Sequence, residues 1–213
     1  MNPIGELILV LDAGTTSTRA MVFDRSGTVR AFAQHALTQH YPRAGWVEHD
    51  AGEIWDLTLS AARQAVTEAG GAEHIAGIGI TNQRETVVAW DRQTGEPLTH
   101  ALVWQDRRTA DLCATLRAAG HEPAVQEATG LLLDPYFSAT KMRWLIDNEP
   151  AVRAAAATRR LALGTVETWL TFKLTGGAMI TDASNASRTS LLPLNGASWD
   201  AGLCGAPRPS GRT

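Results

Sequence analysis

The sequence is poor in cysteine and lacks any long hydrophobic run. Its 213 residues include two cysteines, Cys113 and Cys204, which lie far apart and outside any C-x-x-C pattern. This usage argues against a disulfide scaffold and indicates a reducing compartment, so we expect a cytoplasmic protein. The apolar run Leu7–Leu11 is too short for the core of a signal peptide and has no basic leader. No stretch approaches the length of a membrane span.

Clustered charge and metal-ligand spacing are also missing. Lys and Arg total 19 against 22 Asp and Glu, which gives a net charge of −3 at pH 7. No basic block interrupts this balance, so nucleic acid is not expected as a partner. The six histidines show no metal-ligand spacing, which argues against a metal held by His or Cys. The hydrophobic fraction of 44% is that of an ordinary globular protein able to bury a core.

The first half of the chain predicts strands followed by a helix. Three apolar segments joined by tight polar turns, Glu6–Asp12, Arg19–Asp24 and Val29–Leu37, predict an antiparallel meander. A helix is expected after Asp50, which suits an N-cap with Glu53 three residues later, close to a capping box, and it should end at Gly70-Gly71. Ile75–Thr81 predicts a buried strand, in which Gly77 and Gly79 imply a close backbone approach.

The second half predicts alternating helices and strands. The expected strands are Val87–Trp90, Leu98–Gln105 and Arg160–Leu163. The expected helices are Thr109–Ala119, Ser138–Asn148, a segment beginning at Pro150, and Val166–Leu174 with Thr165 as cap and Gly176 as stop. Strands first and an alternation afterwards indicate an α/β domain with a mixed sheet.

The strongest local signal for function is the turn between the first two strands, Asp12-Ala13-Gly14-Thr15-Thr16-Ser17-Thr18-Arg19. In a turn of small residues, successive backbone N–H groups can surround phosphate oxygens, and hydroxyls add donors without bulk. Arg19 would add positive charge, and Asp12 suits a Mg²⁺ ion held largely through water. A plain hairpin turn has a similar composition, so both interpretations stay open on this segment alone. It is neither a Walker A loop nor a Rossmann fingerprint.

Three further segments place candidate ligand-binding side chains where strands or turns end. Arg84-Glu85 follows the strand Ile75–Thr81, and a cation beside a carboxylate suits vicinal hydroxyls, which both donate and accept. Trp104 follows an apolar strand and could wall the carbon skeleton of a polyol. Tyr136 lies in a turn before a helix, where its phenol could donate to a ligand. A surface ion pair, a core tryptophan and a capped turn remain the simpler alternatives.

Several motifs in the right order resemble the FGGY family of carbohydrate kinases and, within it, the glycerol kinases. These are the turn Asp12–Arg19, Tyr41-Pro42 with Gly45–Asp50, Gly79–Thr86, Val103–Arg108, Tyr136–Asn148, Thr181-Asp182 and Asn185–Thr189. The resemblance covers roughly residues 7–200, and the ordered set is far more specific than any single motif. One departure is Ala13, where glycerol kinases often have Gln.

The resemblance implies an actin-like ATPase domain of the ribonuclease-H-like type, a mixed five-stranded sheet flanked by helices. It implies ATP and Mg²⁺ as cofactors and phosphoryl transfer to glycerol, giving glycerol 3-phosphate. By position, the nucleotide phosphates would be contacted by Thr15, Thr16, Ser17 and Arg19, with Asp12 near the metal through water. The residues expected to bind glycerol are Arg84, Glu85 and Tyr136, with Trp104 as the wall of the pocket.

Members of this family are over twice this long and carry a second domain with the catalytic aspartate. The resemblance therefore implies that residues 1–200 form the N-terminal domain, that 201–213 are an irregular truncated or frameshifted tail, and that the second domain is absent. The chain alone is then expected to be inactive, whereas full-length members are expected to be homo-oligomers. Two alternatives stay open. The first is another FGGY sugar or polyol kinase, and the presence of Arg84-Glu85 beside Trp104 argues against it. The second is a non-catalytic fragment.

Overall fold

Two four-stranded sheets organise the computed structural model, which describes residues 6–196 and 198–205. In chain order the strands are β1 (Leu7–Ala13), β2 (Ser17–Phe23), β3 (Val29–Ala36), β4 (Glu48–His49), β5 (Ile75–Asn82), β6 (Val87–Asp91), β7 (Ala101–Leu102) and β8 (Leu161–Thr165). The helices are α1 (Ala51–Glu68), α2 (Ala110–Ala118), α3 (Glu122–Thr129), α4 (Ser138–Asn148), α5 (Pro150–Ala157), α6 (Val166–Thr175) and α7 (Ala183–Ala186). Short 3-10 turns cover Ala72–His74 and Ser187–Thr189.

The first sheet has the strand order β3-β2-β1-β5. The predicted antiparallel meander is confirmed, because β1 pairs with β2 and β2 with β3 in antiparallel register. β5 then runs parallel to β1 on its other side. This register places Asp12 between Arg19 on β2 and Thr81 on β5. The end of β1 therefore lies beside the end of β5, where the second candidate motif begins.

The prediction that β5 is buried is wrong. Ile78 is 53% exposed, and a Cβ added at Gly79 would meet no atom within 4 Å. The physical reason is position: within the described residues β5 pairs only with β1 and forms the edge of the sheet. The strand was correctly located, but its glycines do not mark a close backbone approach there.

Helix α1 covers one face of the first sheet. It begins as predicted at Asp50, whose carboxylate accepts hydrogen bonds from the backbone N–H groups of Gly52 and Glu53. A cap of this kind contributes about 1 kcal/mol. The capping box is not completed, because the Glu53 carboxylate instead accepts from the backbone and hydroxyl of Thr38. Small buried residues, Ala61 and Ala65, let the helix approach the strands closely.

The second sheet has the order β4-β7-β6-β8, and every residue of β6 is buried. The predicted single sheet of five strands is therefore corrected to two sheets. The chain turns after Asn82, and β6 pairs with β7 and β8 instead of extending the first sheet. The expected strand Leu98–Gln105 shrinks to two residues, Ala101–Leu102, and it ends where the Asp106 N–H donates back to the Val103 carbonyl in a turn. Trp90 on β6 and Trp169 on α6 form the core between these elements.

The predicted helices are confirmed, with α4 at the predicted bounds and α6 ending at Gly176, whose φ is 72°. Helices α3 and α7 were not predicted. α3 is short, is weakly hydrophobic on average and buries only Thr129, and α7 is a single turn. Residues 201–205 of the predicted tail form turns, and 206–213 lie outside the described residues. In the described ranges no helix has the length and apolar character needed to cross a bilayer.

Candidate active site

The segment Asp12–Arg19, which runs from the end of β1 through the connecting turn into the start of β2, is closed by a hydrogen bond within its own backbone. The Gly14 N–H donates to the Ser17 carbonyl at 3.0 Å. A Cβ added at Gly14 would lie 3.0 Å from that same carbonyl oxygen, which is tighter than nearly all Cβ contacts in proteins. A larger residue at this position would therefore force the Ser17 carbonyl to shift by a few tenths of an ångström. We call this segment the β1–β2 loop.

The carbonyls of four consecutive residues of the β1–β2 loop, Ala13–Thr16, accept hydrogen bonds from other parts of the protein. Gln83 donates its backbone N–H to the Ala13 carbonyl at 3.0 Å and its side-chain amide to the Gly14 carbonyl at 3.2 Å. Gln39 donates its side-chain amide to the Thr15 carbonyl at 2.9 Å, and the Leu37 N–H donates to the Thr16 carbonyl at 3.0 Å. With its carbonyls engaged there, the loop is preorganised before any ligand arrives.

The two ionisable residues of the β1–β2 loop pair with each other. Arg19 Nη1 donates to Asp12 Oδ2 at 2.8 Å, and Arg19 Nε donates to the side chain of Gln34. Both partners of this pair are partly exposed. Thr16 is exposed, while Ser17 is buried and its hydroxyl has no hydrogen-bond partner among the described residues. The loop thus presents a paired cation, a carboxylate and hydroxyls.

A second cluster forms around Glu85, which is 3% exposed. Arg188 Nε donates to Glu85 Oε1 at 2.8 Å, and no hydrogen bond from the described residues reaches Glu85 Oε2. The Arg188 guanidinium also lies 5.0 Å from the centre of the Phe137 ring and 5.7 Å from that of Tyr136. Burial alone would disfavour the Arg188 charge, but the hydrogen bond to Glu85 and its negative charge raise the pKa of Arg188 above its ordinary value.

Aromatic side chains complete this second cluster. The rings of Trp104 and Tyr136 meet edge to face, with centroids 5.5 Å apart. Tyr136 and Phe137 make a similar contact at 5.2 Å. A cavity of about 460 Å³ opens beside Tyr136 and is lined largely by apolar side chains. A slightly larger cleft of about 520 Å³ lies between Asp24 and Glu68, at the other end of the first sheet. Of the predicted glycerol-binding residues, Tyr136 is the one that lines the smaller cavity.

One hydrogen bond joins the two clusters. The indole Nε1–H of Trp104 donates to the hydroxyl of Thr15 at 2.9 Å. The backbone N–H of Trp104 donates to Thr86 Oγ1 at 3.1 Å, which ties it to the turn that carries Glu85. Residues far apart in the chain thereby form one continuous site, which runs from the β1–β2 loop to the Glu85 cluster.

The predicted residues do not all converge. Glu85, Trp104 and Tyr136 come together, and Thr15 touches Trp104, as described above. Arg84 is exposed and forms no ion pair within the described ranges, although it is adjacent to Glu85. It therefore stands at the rim of the Glu85 cluster.

Sequence reasoning missed Arg188 and Lys141. Arg188 belongs to the motif Asn185–Thr189, which was recognised without a role for its cation. Lys141 is fully buried and donates to the carbonyls of Tyr136 and Phe137 at 2.7 and 3.2 Å. Burial lowers the pKa of Lys141 to about 8. A lysine on the first turn of an amphipathic helix gives no signal of burial in the sequence.

Comparisons with known proteins identify the family of the chain. A sequence profile described as "FGGY family of carbohydrate kinases, N-terminal domain" matches residues 7–209. A glycerol kinase of Bordetella parapertussis is 57% identical over 196 residues, which are 91% of this chain and 39% of the relative. A glycerol kinase of Koribacter versatilis is 56% identical over 195 residues, with the same coverage of 91% and 39%. The chain thus spans about two fifths of the length of these curated relatives.

Solved structures give the same result. A crystal structure of Plasmodium falciparum glycerol kinase with ADP superposes with a TM-score of 0.84 at 35% identity, over 93% of this chain and 40% of that one. A xylulose kinase from Rhodospirillum rubrum also superposes with a TM-score of 0.84, at 29% identity and the same coverage of 93% and 40%. The predicted fold class, an actin-like α/β domain of the ribonuclease-H-like type, is confirmed by these neighbours.

Proposed function

Because the chain belongs to the FGGY family of carbohydrate kinases, we propose that it forms the N-terminal part of a glycerol kinase. The reaction would transfer the terminal phosphoryl group of ATP to a hydroxyl of glycerol, giving glycerol 3-phosphate. The observation that carries this proposal is the hydrogen bond from Trp104 to Thr15. It sets a pocket suited to hydroxyls directly beside a loop suited to phosphates, as transfer between two bound substrates requires.

The Glu85 cluster would bind the acceptor. Glu85 Oε1 is taken by Arg188, so Oε2 is the oxygen available to a ligand hydroxyl. The phenol of Tyr136 and the guanidinium of Arg84 would supply donors to neighbouring hydroxyls. Trp104 would cover the carbon edge of a three-carbon chain, and its bulk beside Tyr136 favours a short polyol over a pentose.

The β1–β2 loop would bind the nucleotide phosphates through Thr15, Thr16, Ser17 and Arg19. The buried Ser17 hydroxyl supports this role, because a phosphate oxygen would give it the partner it lacks in the described structure. The guanidinium of Arg19, which pairs with Asp12, would also interact with the phosphates. With both substrates held, the loop stabilises charge on the transferring group by hydrogen bonds, which is the main contribution that a protein makes to phosphoryl transfer.

Asp12 would hold Mg²⁺. Among the described residues no three His, Cys, Asp or Glu side chains cluster as a metal site. A single partly exposed carboxylate beside a phosphate loop nevertheless fits Mg²⁺, which usually takes one or two carboxylates and completes its shell with water and substrate phosphates. When bound, the ion would neutralise charge on the phosphate oxygens. We also propose a cytoplasmic location, which suits the two free thiols Cys113 and Cys204.

A titration of the labelled chain followed by NMR tests the two halves of the proposal separately. Glycerol should shift the indole signal of Trp104, and Glu85→Ala should abolish that shift while Thr16→Ala keeps it. MgATP should shift the amides of the β1–β2 loop, and here Thr16→Ala should be the damaging change. Glu127→Ala, an exposed position on α3, is the matched control. A Glu85→Ala chain that binds glycerol as the wild type does would refute the acceptor site.

A further inference from the structure

We propose that the buried, uncharged imidazole of His49 is a positioning residue of the β1–β2 loop. It would act through Gln83 and Gln39, the two side chains whose amides hold the loop carbonyls. This proposal rests on the phosphate-binding role proposed above for the loop, and it assigns a role to a residue outside the two clusters of the site.

The imidazole lies between the two glutamines. His49 is on β4 and is 1% exposed. Its Nδ1 lies 3.1 Å from Gln83 Nε2, and its Nε2 lies 2.9 Å from Gln39 Oε1. Gln83 reaches the Gly14 carbonyl and Gln39 reaches the Thr15 carbonyl. The imidazole of His49 therefore contacts both of the glutamine side chains that donate hydrogen bonds to the loop carbonyls.

The hydrogen-bond network fixes which nitrogen carries the proton. The Gly14 carbonyl can only accept, so the Gln83 side-chain atom 3.2 Å from it is the amide nitrogen, and Gln83 Oε1 accepts the Thr86 hydroxyl hydrogen at 2.9 Å. Gln83 must then present its amide N–H groups to the Gly14 carbonyl and to His49. His49 Nδ1 consequently accepts, and the hydrogen is on Nε2.

The second branch of the network agrees with this assignment. A hydrogen on His49 Nε2 requires an acceptor opposite, and Gln39 Oε1 provides it. The Gln39 amide nitrogen is then free to donate to the carbonyls of Thr15 and Leu37, at 2.9 and 3.2 Å. Every donor in both branches meets an acceptor, so the network is satisfied only with a neutral imidazole bearing its hydrogen on Nε2.

A second proton on His49 would break the network. It would sit on Nδ1 and face the Gln83 amide, so two donors would oppose each other and Gln83 would leave the Gly14 carbonyl. The environment disfavours this proton. Burial lowers the pKa of His49 to about 4; the carboxylate of Glu53 opposes this shift, and the neighbouring His40 adds a smaller effect in the lowering direction. The imidazole therefore stays neutral at neutral pH.

The first test uses the wild-type chain and needs no variant. Nitrogen NMR of histidine-labelled protein at pH 7 should find His49 with an unprotonated Nδ1 and a protonated Nε2. A hydrogen on Nδ1, or a doubly protonated ring, would overturn the proposal, because Gln83 could then not be the donor.

The second test removes the ring. His49→Ala should shift the amide signals of Gly14–Ser17, speed their hydrogen exchange and weaken MgADP binding at least about fivefold, since two buried amides lose partners. His49→Asn places an acceptor near the Nδ1 position and should restore the Gly14 amide signal. His121→Ala, an exposed histidine, is the matched control and should change none of these quantities.

The outcomes separate the positioning role from the proposed function. A folded His49→Ala chain with wild-type loop signals and MgADP affinity overturns the positioning role. If the loop signals shift but not even the wild-type chain binds MgADP, the positioning role stands and the nucleotide site proposed for the loop fails. If His49→Ala does not fold, the protonation measurement on the wild type decides.

Discussion

Removal of Arg188 should expose how the Glu85 cluster is held together. The Glu85 side chain is 4% exposed and that of Arg188 is 28% exposed. Arg188→Ala would leave a buried carboxylate without its cation. Breaking a fully buried ion pair from one side costs about 3–5 kcal/mol. Water reaches Arg188, so we expect the smaller value of about 2–3 kcal/mol for the pair, with up to about 1 kcal/mol more from lost contact with the Phe137 ring.

Urea unfolding of six proteins measures this effect, namely the wild type, Arg188→Ala, Arg188→Lys, Glu85→Gln, the double variant of Arg188→Ala with Glu85→Gln, and Arg143→Ala. Arg188→Ala should lower the free energy of unfolding by about 2–4 kcal/mol, and Arg188→Lys by less, because lysine keeps the charge without the planar donor geometry. Adding Glu85→Gln to Arg188→Ala should recover at least about 1 kcal/mol, since no charge is then left unpaired. Arg143→Ala breaks the exposed pair with Asp147 and should cost no more than about 0.5 kcal/mol.

Equal costs for Arg188→Ala and Arg143→Ala would show that the buried pair contributes no more than the exposed one. A double variant whose cost is simply the sum of its two single changes would show that Arg188 and Glu85 do not interact. In the glycerol titration, Arg188→Ala should weaken binding while Arg143→Ala leaves it unchanged.

Three further predictions follow from the buried groups and the loop. Because the pKa of His49 is lowered in the folded protein, its contribution to stability is full above about pH 6.5. As the pH falls from there toward 4, the free energy of unfolding should fall by about 3 kcal/mol. In urea unfolding, His49→Gln should show a weaker loss of stability on acidification. The lowered pKa of Lys141 means that stability gains about 3 kcal/mol as the pH rises from 8 toward 10.5, a gain that Lys141→Met should lack in the same assay. Gly14→Ala should cost about 1–3 kcal/mol of unfolding free energy through its contact with the Ser17 carbonyl, whereas Gly79→Ala should cost nothing; equal effects would contradict the account.

Local features of the fold were predictable from the sequence. The cap at Asp50, the stop at Gly176 and the bounds of α4 depend on residues within a few positions of each other. The division into two sheets was not predictable in this way, because it depends on the pairing of β6 with β8 across more than sixty residues. The exposure of Ile78 likewise follows from which strands flank β5, and a run of alternating Ile and Gly does not encode that.

The candidate site was predicted in part. Glu85 and Trp104 stood out because they follow strands, and Tyr136 because it lies in a turn before a helix; the structure brings the three together. Arg188 reaches Glu85 across 103 residues of sequence, and His49 reaches Gln83 across 34. Such contacts are products of tertiary packing, and neither residue lies in a local pattern that indicates its role. The pairing of Asp12 with Arg19 was equally unforeseen, although their places on adjacent strands explain it.

The most direct test of the central claim is the substrate preference of this chain when it is completed. The 213-residue chain can be joined to the part of the Bordetella parapertussis glycerol kinase that lies beyond the matched segment. Steady-state kinetics with ATP should then give a higher kcat/KM for glycerol than for xylulose. Glu85→Ala should lower the value for glycerol about tenfold to hundredfold with little change in the KM for ATP. A completed enzyme that prefers xylulose, or whose glycerol turnover survives Glu85→Ala, would contradict the account.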